Sequence, residues 1–302
     1  MATARPQKST NVRFMKSLIG VAERLAPQWL EEKAFQLWCR PMKTVSRWGS
    51  LGATARKFTL DAGEMALTAW EWNVEGPRGT ALLVHGWSGN AGQMSSFVTP
   101  LVERGFHVVA VDLPAHGESP GNFATIVLLA RALKAVGHRL LPKVIIAHSL
   151  GGTSTSYALS LGLETERLVL LASPVQLPPY LKHFGEEFGL SEAMQDRLMA
   201  RVEAVVGLKV SELDLRVHAP KLGHVAMLVV HDLGDRVVPV ESSRELVAVW
   251  PRSRLIETEG LSHDKVRREQ AVVEKVVAFI GGDLFTRATA SVQAVELSPS
   301  PL

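Results

Sequence analysis

The strongest constraint on this chain is a recurrence of short, continuous apolar runs, each closed by a polar or glycine-rich turn. They cover Ala81 to Val84, His107 to Val111, Val144 to Ala147, Leu168 to Leu171, Val225 to Val230 and Leu255 to Ile256. A strand with one wet face alternates apolar and polar residues. Unbroken Val, Leu and Ile runs instead fit strands covered on both faces, which means a parallel sheet with helical crossovers. Helical segments fit the gaps around 93–104, 123–137, 151–162, 241–249 and 264–280. The alternation predicts an α/β fold, doubly wound around a mostly parallel sheet. Ahead of it, Phe58 and Leu60, then Met65, Leu67, Ala69 and Glu71 with Trp70 and Trp72 between, predict two short strands joined by a turn at Asp61-Ala62-Gly63.

Two regions stand outside that pattern. Within residues 1–50, Val12, Met15, Leu18, Ile19, Ala22 and Leu25 recur at helical spacing; after Pro27 so do Leu30, Ala34, Leu37 and Trp38, until Pro41. Two short amphipathic helices result. A helical extension packed on the domain is the favoured reading; the alternative is a lipid-surface or partner-binding arm, for which Arg5, Lys8, Arg13 and Lys16 speak. The second region is a gap of about fifty residues between the run ending near Ser173 and the one starting near Val225, too long for a structureless connection. It opens with Pro174 and Pro178-Pro179 and carries a helical stretch near Ser191 to Val206. The expected organisation is an N-terminal helical extension over 1–50 and one α/β domain over 51–302, with a small helical cap insertion at about 175–222. In such folds ligands sit beyond the carboxyl ends of the strands, where the insertion would form a lid. The tail beyond Phe285, ending Ser298-Pro299-Ser300-Pro301-Leu302, is expected to fray.

Composition excludes several classes of function. The 302 residues are 46% hydrophobic and 21% charged, ordinary for a folded globular chain. The formal net charge of +3 comes without a basic block, so nucleic-acid binding is not indicated. A single cysteine, Cys39, excludes an internal disulfide and a multi-cysteine zinc site. The best leader-like stretch, Leu18-Ile19-Gly20-Val21-Ala22, is closed in by Lys16 and Glu23, and no window reaches the ~18 apolar residues of a membrane span. A soluble, cytoplasmic protein without stable membrane insertion is expected; a homodimer stays open.

Chemistry concentrates at four places. In Val144-Ile145-Ile146-Ala147-His148-Ser149-Leu150-Gly151-Gly152 a buried strand runs directly into a serine flanked at two residues' distance by Ala147 and Gly151. A sharp strand-to-helix turn needs small side chains there, and it leaves the serine hydroxyl at a helix N-terminus. A helix-capping serine is the plainer alternative. A serine nucleophile needs a base, itself oriented by a carboxylate. Of ten histidines, only His263 follows the last plausible sheet acid, though alone it would read as a surface histidine before a helix. The segment Val230-His231-Asp232-Leu233-Gly234-Asp235 offers two acids. Asp235 is preferred because Gly234 permits a turn back toward the histidine; Asp232 more readily reads as a turn residue. Finally, Leu82-Leu83-Val84-His85-Gly86-Trp87-Ser88-Gly89-Asn90 is a strand followed by a glycine-spaced loop. The free amides of Trp87 and Leu150 are the expected oxyanion donors.

As an ordered set these elements resemble the α/β-hydrolase superfamily over about residues 54–281, on its serine esterase and lipase-like branch. The set comprises the His85-Gly86 loop, the Asp112-Leu113-Pro114-Ala115-His116-Gly117 turn, the Ser149 elbow, Asp235 with Val238-Pro239, and His263. Asp235 follows Ser149 by 86 residues and His263 follows Asp235 by 28. The resemblance implies Ser149 as nucleophile, His263 as base, Asp235 as acid, and Trp87 with Leu150 as the oxyanion hole. It also implies that Asp112 and His116 shape a turn beside the site. Ala147 departs from the commonest elbow glycine. Serine rather than aspartate at the elbow argues against dehalogenase-like and epoxide-hydrolase-like members.

The expected activity is hydrolysis of small-molecule carboxylic esters through an acyl-enzyme, with no metal or organic cofactor. Trp87 and His148 are the expected substrate-binding residues. Apolar residues of the insertion (Leu177, Tyr180, Leu181, Phe184, Phe188) would favour a hydrophobic group on short- to medium-chain esters, unless they pack the insertion's own interior. A thioesterase, amidase, acyltransferase or carbon–carbon hydrolase would use the same triad, and a non-catalytic ligand-binding protein could share the scaffold.

Overall fold

The computed structural model describes the backbone of residues 8–282 and the side chains of residues 16–282; Val12, Met15 and the tail beyond Phe285 lie outside the described side chains. In chain order come α1 (Lys8–Leu25), α2 (Pro27–Trp38), β1 (Arg56–Asp61), β2 (Ala66–Trp72), β3 (Thr80–Val84), α3 (Val98–Glu103) and β4 (His107–Val111). They are followed by α4 (Ile126–Leu140), β5 (Pro142–His148), α5 (Leu150–Ser160), β6 (Arg167–Leu171), α6 (Pro178–Phe188), α7 (Glu192–Val206) and α8 (Leu215–His218). The described residues close with β7 (Ala226–Asp232), α9 (Val240–Val249), β8 (Ser253–Thr258), α10 (Ser262–Lys265) and α11 (Gln270–Gly281). Contacts divide the chain into two compact units: residues up to Arg40 with Gln176–Leu213, and Pro41–Val175 with the chain from Asp214 onward.

The larger unit holds one eight-stranded sheet in the order β1-β2-β4-β3-β5-β6-β7-β8. β1, β2 and β4 pair antiparallel, and every pair from β4 across to β8 is parallel. Each apolar run seen in the sequence is one of these strands. Leu82, Leu83, Ile145, Ile146, Leu170, Leu171 and Leu228 are completely buried, as strands with helices on both faces require. The hairpin forms at the expected turn, where Gly63 takes a φ of +85° and its N–H donates to Asp61 Oδ1 at 2.9 Å.

The segment after Pro41 belongs to this unit. Trp48 packs on Trp70 and Trp72 with ring centroids 5.4 and 4.8 Å away, and Trp72 Nε1 donates to the Leu51 carbonyl at 3.2 Å. The chain steps from β3 to β4 on one side and then to β5 on the other. The carboxyl ends of β3 and β5 therefore meet at the point where the strand order reverses, the usual place for a ligand in an open α/β sheet.

Two helices differ from the sequence expectation. The segment expected as one helix over 93–104 is a 3₁₀ stretch, Ala91–Phe97, followed by α3. Pro100 has no N–H to give an α-helix interior and fits only in a first turn, which fixes the start of α3 at Val98. The segment 264–280 is split into α10 and α11, because the chain resets after the fully buried Val266 through an Arg268 N–H bond to the Lys265 carbonyl at 2.9 Å.

In the smaller unit α1 and α2 pack with α6 and α7. Leu30, Ala34, Phe35, Leu181, Met194 and Leu198 are buried there. Phe184 sits 5.3 Å from Trp38 and 4.8 Å from Phe188 between ring centroids, so these apolar residues fill the unit's own interior. Cys39 is buried as well, which pushes its thiol up to about 12 and leaves it a poor nucleophile.

Ile146 is wholly buried at the centre of the sheet, three residues before Ser149. Ile146→Ala should lower stability by about 2–5 kcal/mol in urea unfolding; a change below about 1 kcal/mol would contradict this packing.

Candidate active site

β5 ends at His148, and the next residue, Ser149, adopts φ +50° and ψ −132° before α5 begins at Leu150. A non-glycine residue in that region is strained, and the neighbouring glycines show what holds it. A Cβ added to Gly151 would lie 2.1 Å from the His85 carbonyl oxygen, and one on Gly152 would lie 2.0 Å from Ser173 Oγ. The elbow can turn only because both positions lack side chains. The Ser149 side chain makes no capping bond to α5. Its Oγ–H donates instead to His263 Nε2 at 3.0 Å.

His263 Nδ1–H in turn donates to Asp235 Oδ2 at 2.7 Å. The Asp235 carboxylate is covered: Oδ1 accepts the N–H groups of Val237 and Val238 at 2.8 and 3.0 Å, and the buried His231 ring lies 3.4 Å from Oδ2. Burial alone would raise its pKa, but the neighbouring His231, the bond from His263 and the Val238 amide outweigh it and hold the carboxyl well below the usual range. Asp232 is occupied otherwise. Its Oδ1 accepts the Gly234 N–H at 3.0 Å, and its Oδ2 accepts the Thr258 hydroxyl at 3.0 Å and the Leu261 N–H at 2.8 Å. It ties β7 to the loop that carries His263.

His231 escaped the sequence reading. Its Nε2–H donates to the Val238 carbonyl at 2.8 Å and its Nδ1 accepts the Ser243 hydroxyl at 2.6 Å, which fixes the loop around Asp235. The available signal was a polar residue closing an otherwise apolar strand. His148, expected among the substrate-binding residues, is buried, and its Nε2–H donates to the main-chain carbonyl of His263 at 2.9 Å. That bond ties the elbow to the segment bearing the base.

The glycine loop after β3 lies directly beside the elbow: a Cβ on Gly86 would come 2.9 Å from Ser149 Cβ. His85 donates from Nδ1 to the Gly86 carbonyl at 2.7 Å and accepts the Leu113 N–H at Nε2 at 3.0 Å. Among the described residues no hydrogen bond engages the N–H of Trp87 or of Leu150. The half-buried Trp87 ring meets His116 edge-on at 5.1 Å.

The loop's outer support is Asp112. Its Oδ1 accepts the Ala91 N–H at 2.7 Å and the Ser46 hydroxyl at 3.2 Å, and its Oδ2 accepts the Glu118 N–H at 2.7 Å. Thr44 adds a further tie through its hydroxyl, which accepts from Asn90 Nδ2 at 2.8 Å. Neither Ser46 nor Thr44 carried any signal in the sequence.

Among the described residues no group of three or more His, Cys, Asp or Glu side chains is placed to hold a metal ion, and no helix is long and apolar enough to cross a membrane. A cavity of about 310 Å³ lined by Arg78, Phe106, Lys143 and Arg167 lies at the amino ends of β3 to β6, the opposite end of the strands from Ser149.

With this geometry in place, the profile of the alpha/beta hydrolase family matches residues 81–276. The chain belongs to that family. Known structures share the fold at low identity. An esterase of Pyrococcus furiosus is 19% identical over 82% of this chain and 98% of its own, with a TM-score of 0.59. Est1E of Butyrivibrio proteoclasticus, bound to ferulic acid, is 19% identical over 76% of this chain and 100% of its own, with a TM-score of 0.60. A serine hydrolase from a Cycloclasticus bacterium is 16% identical over 77% of this chain and 100% of its own, with a TM-score of 0.56. No curated protein matches the sequence. Membership of that family supports a hydrolase.

Three buried imidazoles around the site set its response to acid. Burial, chiefly, lowers His85 to about 3, with His116 adding to the effect; it lowers His148 to about 3, with His263 adding; and it lowers His116 to about 4. Each is neutral when folded, whereas an unfolded histidine binds a proton below about pH 6.5. Acid therefore favours the unfolded chain across that window. The unfolding temperature should fall as pH drops from about 6.5 toward about 4, and Asp235 should add to the loss below about 4 as its depressed carboxyl is approached. A flat profile from pH 7 to 4 in differential scanning calorimetry would contradict the burial of these rings.

Proposed function

We propose that the protein is a serine hydrolase cleaving carboxylic esters through Ser149, His263 and Asp235. One observation carries this reading: a single imidazole is hydrogen-bonded to a serine hydroxyl at 3.0 Å on one nitrogen and to a buried carboxylate at 2.7 Å on the other. A lone serine hydroxyl is too weak a nucleophile at neutral pH, and this arrangement removes its proton as it attacks.

In the proposed cycle Ser149 Oγ bonds to the acyl carbon while its proton passes to His263 Nε2. The negative charge that forms on the former carbonyl oxygen is met by the N–H groups of Trp87 and Leu150, the latter helped by the N-terminus of α5. Each such donor is worth roughly 3–4 kcal/mol in the transition state. Collapse of the tetrahedral intermediate expels the alcohol, which takes the proton from His263, and leaves the acyl group on Ser149. Water then gives a proton to His263 and attacks the acyl carbon; the proton returns to Ser149 as the acid departs. Asp235 keeps the proton on Nδ1 throughout and stabilises the imidazolium. The likeness in fold to an esterase and to a serine hydrolase supports the choice of ester bonds.

On an activated ester such as a p-nitrophenyl acyl ester, Ser149→Ala should lower kcat by about 10⁶-fold with little loss of stability, and Asp235→Asn by about 10⁴-fold together with the stability that the depressed carboxyl contributes. Asp232→Asn should chiefly reduce stability, because it weakens the bonds to Thr258 and Leu261. Retention of most activity by Ser149→Ala would overturn the assignment. A larger kcat loss for Asp232→Asn than for Asp235→Asn would move the acid.

A further inference from the structure

Within the smaller unit the two N-terminal helices have an inner and an outer side. On α1 the inner side is fixed by Lys16 Nζ, which donates to the Glu186 carbonyl at 2.8 Å, and by Glu23, which accepts from the hydroxyl and N–H of Ser191. On α2 it is fixed by the buried Leu30, Ala34 and Phe35, and by Glu31 and Glu32, which accept from Arg197 at 2.8 Å and Arg201 at 2.9 Å. The 100° step per residue then places Leu18, Val21 and Leu25 on the opposite face of α1, and Trp29 and Lys33 on the outer face of α2. Leu18, Val21, Leu25 and Trp29 there are 53%, 52%, 80% and 57% exposed.

Charge is sorted the same way. Every acid of the two helices, Glu23, Glu31 and Glu32, is turned to α6, α7 or the turn between them and engaged there. No Asp or Glu precedes Glu23, whereas Arg5, Lys8, Arg13 and Lys16 do. Arg24 and Lys33 are exposed beside the apolar stripe, and among the described residues no carboxylate pairs with either. An exposed face combining a large aromatic ring, branched aliphatic side chains and unpaired cations, with all acids facing away, fits the boundary of an anionic lipid bilayer. Apolar side chains enter the acyl region there while cations meet the headgroups. Since no described helix can cross a membrane, such a contact would lie in the plane of the surface.

We propose that the outer face of α1 and α2, centred on Leu18, Val21, Leu25 and Trp29, is a docking surface for anionic membranes. The proposal is independent of the reading of Ser149. The test is co-sedimentation of the full-length protein with vesicles of phosphatidylcholine alone and of phosphatidylcholine mixed equally with phosphatidylglycerol. The protein should pellet with the mixed vesicles and much less with the neutral ones, and high salt should release it. Leu25→Glu and Trp29→Glu should each weaken that binding about tenfold or more, because each removes an apolar anchor and adds a repelled charge. Both residues are exposed, so each variant should keep its circular dichroism spectrum and its turnover of a soluble ester. Ser149→Ala should bind vesicles like the unaltered protein, which keeps a failure of the catalytic assignment distinct from a failure of this one. Equal binding to both vesicle types, or no effect of either substitution, would overturn the proposal. So would absence of vesicle binding together with a concentration-dependent dimer that the same substitutions dissolve, which would make the face a contact between two copies of the chain.

Discussion

The backbone turn at Ser149 is the constraint on which the rest of the site depends. Holding a serine at φ +50° costs on the order of 1–3 kcal/mol, and the chain accepts this only where packing leaves no alternative. Here the enforcement is steric and two-sided. β5 is locked between β3 and β6, the Ser149 N–H continues the ladder to the Leu171 carbonyl at 2.9 Å, and Gly151 lets α5 start against the His85 backbone. Strain is concentrated at this edge of the sheet. Of the described non-glycine residues with positive φ, all but Leu141 follow the carboxyl end of a parallel strand: Ser88, Ala115, Ser149, Ala172 and Ser262. The cost is carried by the loops at the carboxyl ends of the strands.

A second layer of hydrogen bonds makes the loops act together. The segment carrying His263 is held from three directions: by Asp232 through Leu261, by Asp235 through the ring, and by His148 through the main-chain carbonyl. The loop of free amides is held from behind by His85 and Asp112. For the proposed reaction, such positioning before substrate arrives would remove reorganisation from the chemical step, the origin of most of the electrostatic benefit of an oxyanion site.

The parts of this arrangement legible in the sequence were those with a local physical signature. Continuous apolar runs revealed the strands because burial on both faces forbids alternation. The elbow was legible because a serine flanked by small residues after such a run is sterically unusual. The Asp235 preference came from the turn that Gly234 permits. What escaped were interactions between segments far apart in sequence: His231 with Val238 and Ser243, Ser46 with Asp112, Thr44 with Asn90. A hydroxyl that accepts from a loop forty-six residues away looks like any surface residue in a string of letters. The pairing of α1 and α2 with α6 and α7 was equally invisible, because amphipathic spacing shows that a helix has an apolar side without naming its partner.

In the proposed reaction Ser149 is made nucleophilic by His263. Intact-mass spectrometry after exposure to an activated alkyl phosphonate ester, which reacts far faster with an activated serine than with an ordinary one, reads this out. One adduct per chain, mapped by peptide fragmentation to Ser149 and lost in His263→Ala, is the predicted result. An adduct on another residue, or one that forms on Ser149 equally fast without the imidazole, would contradict it.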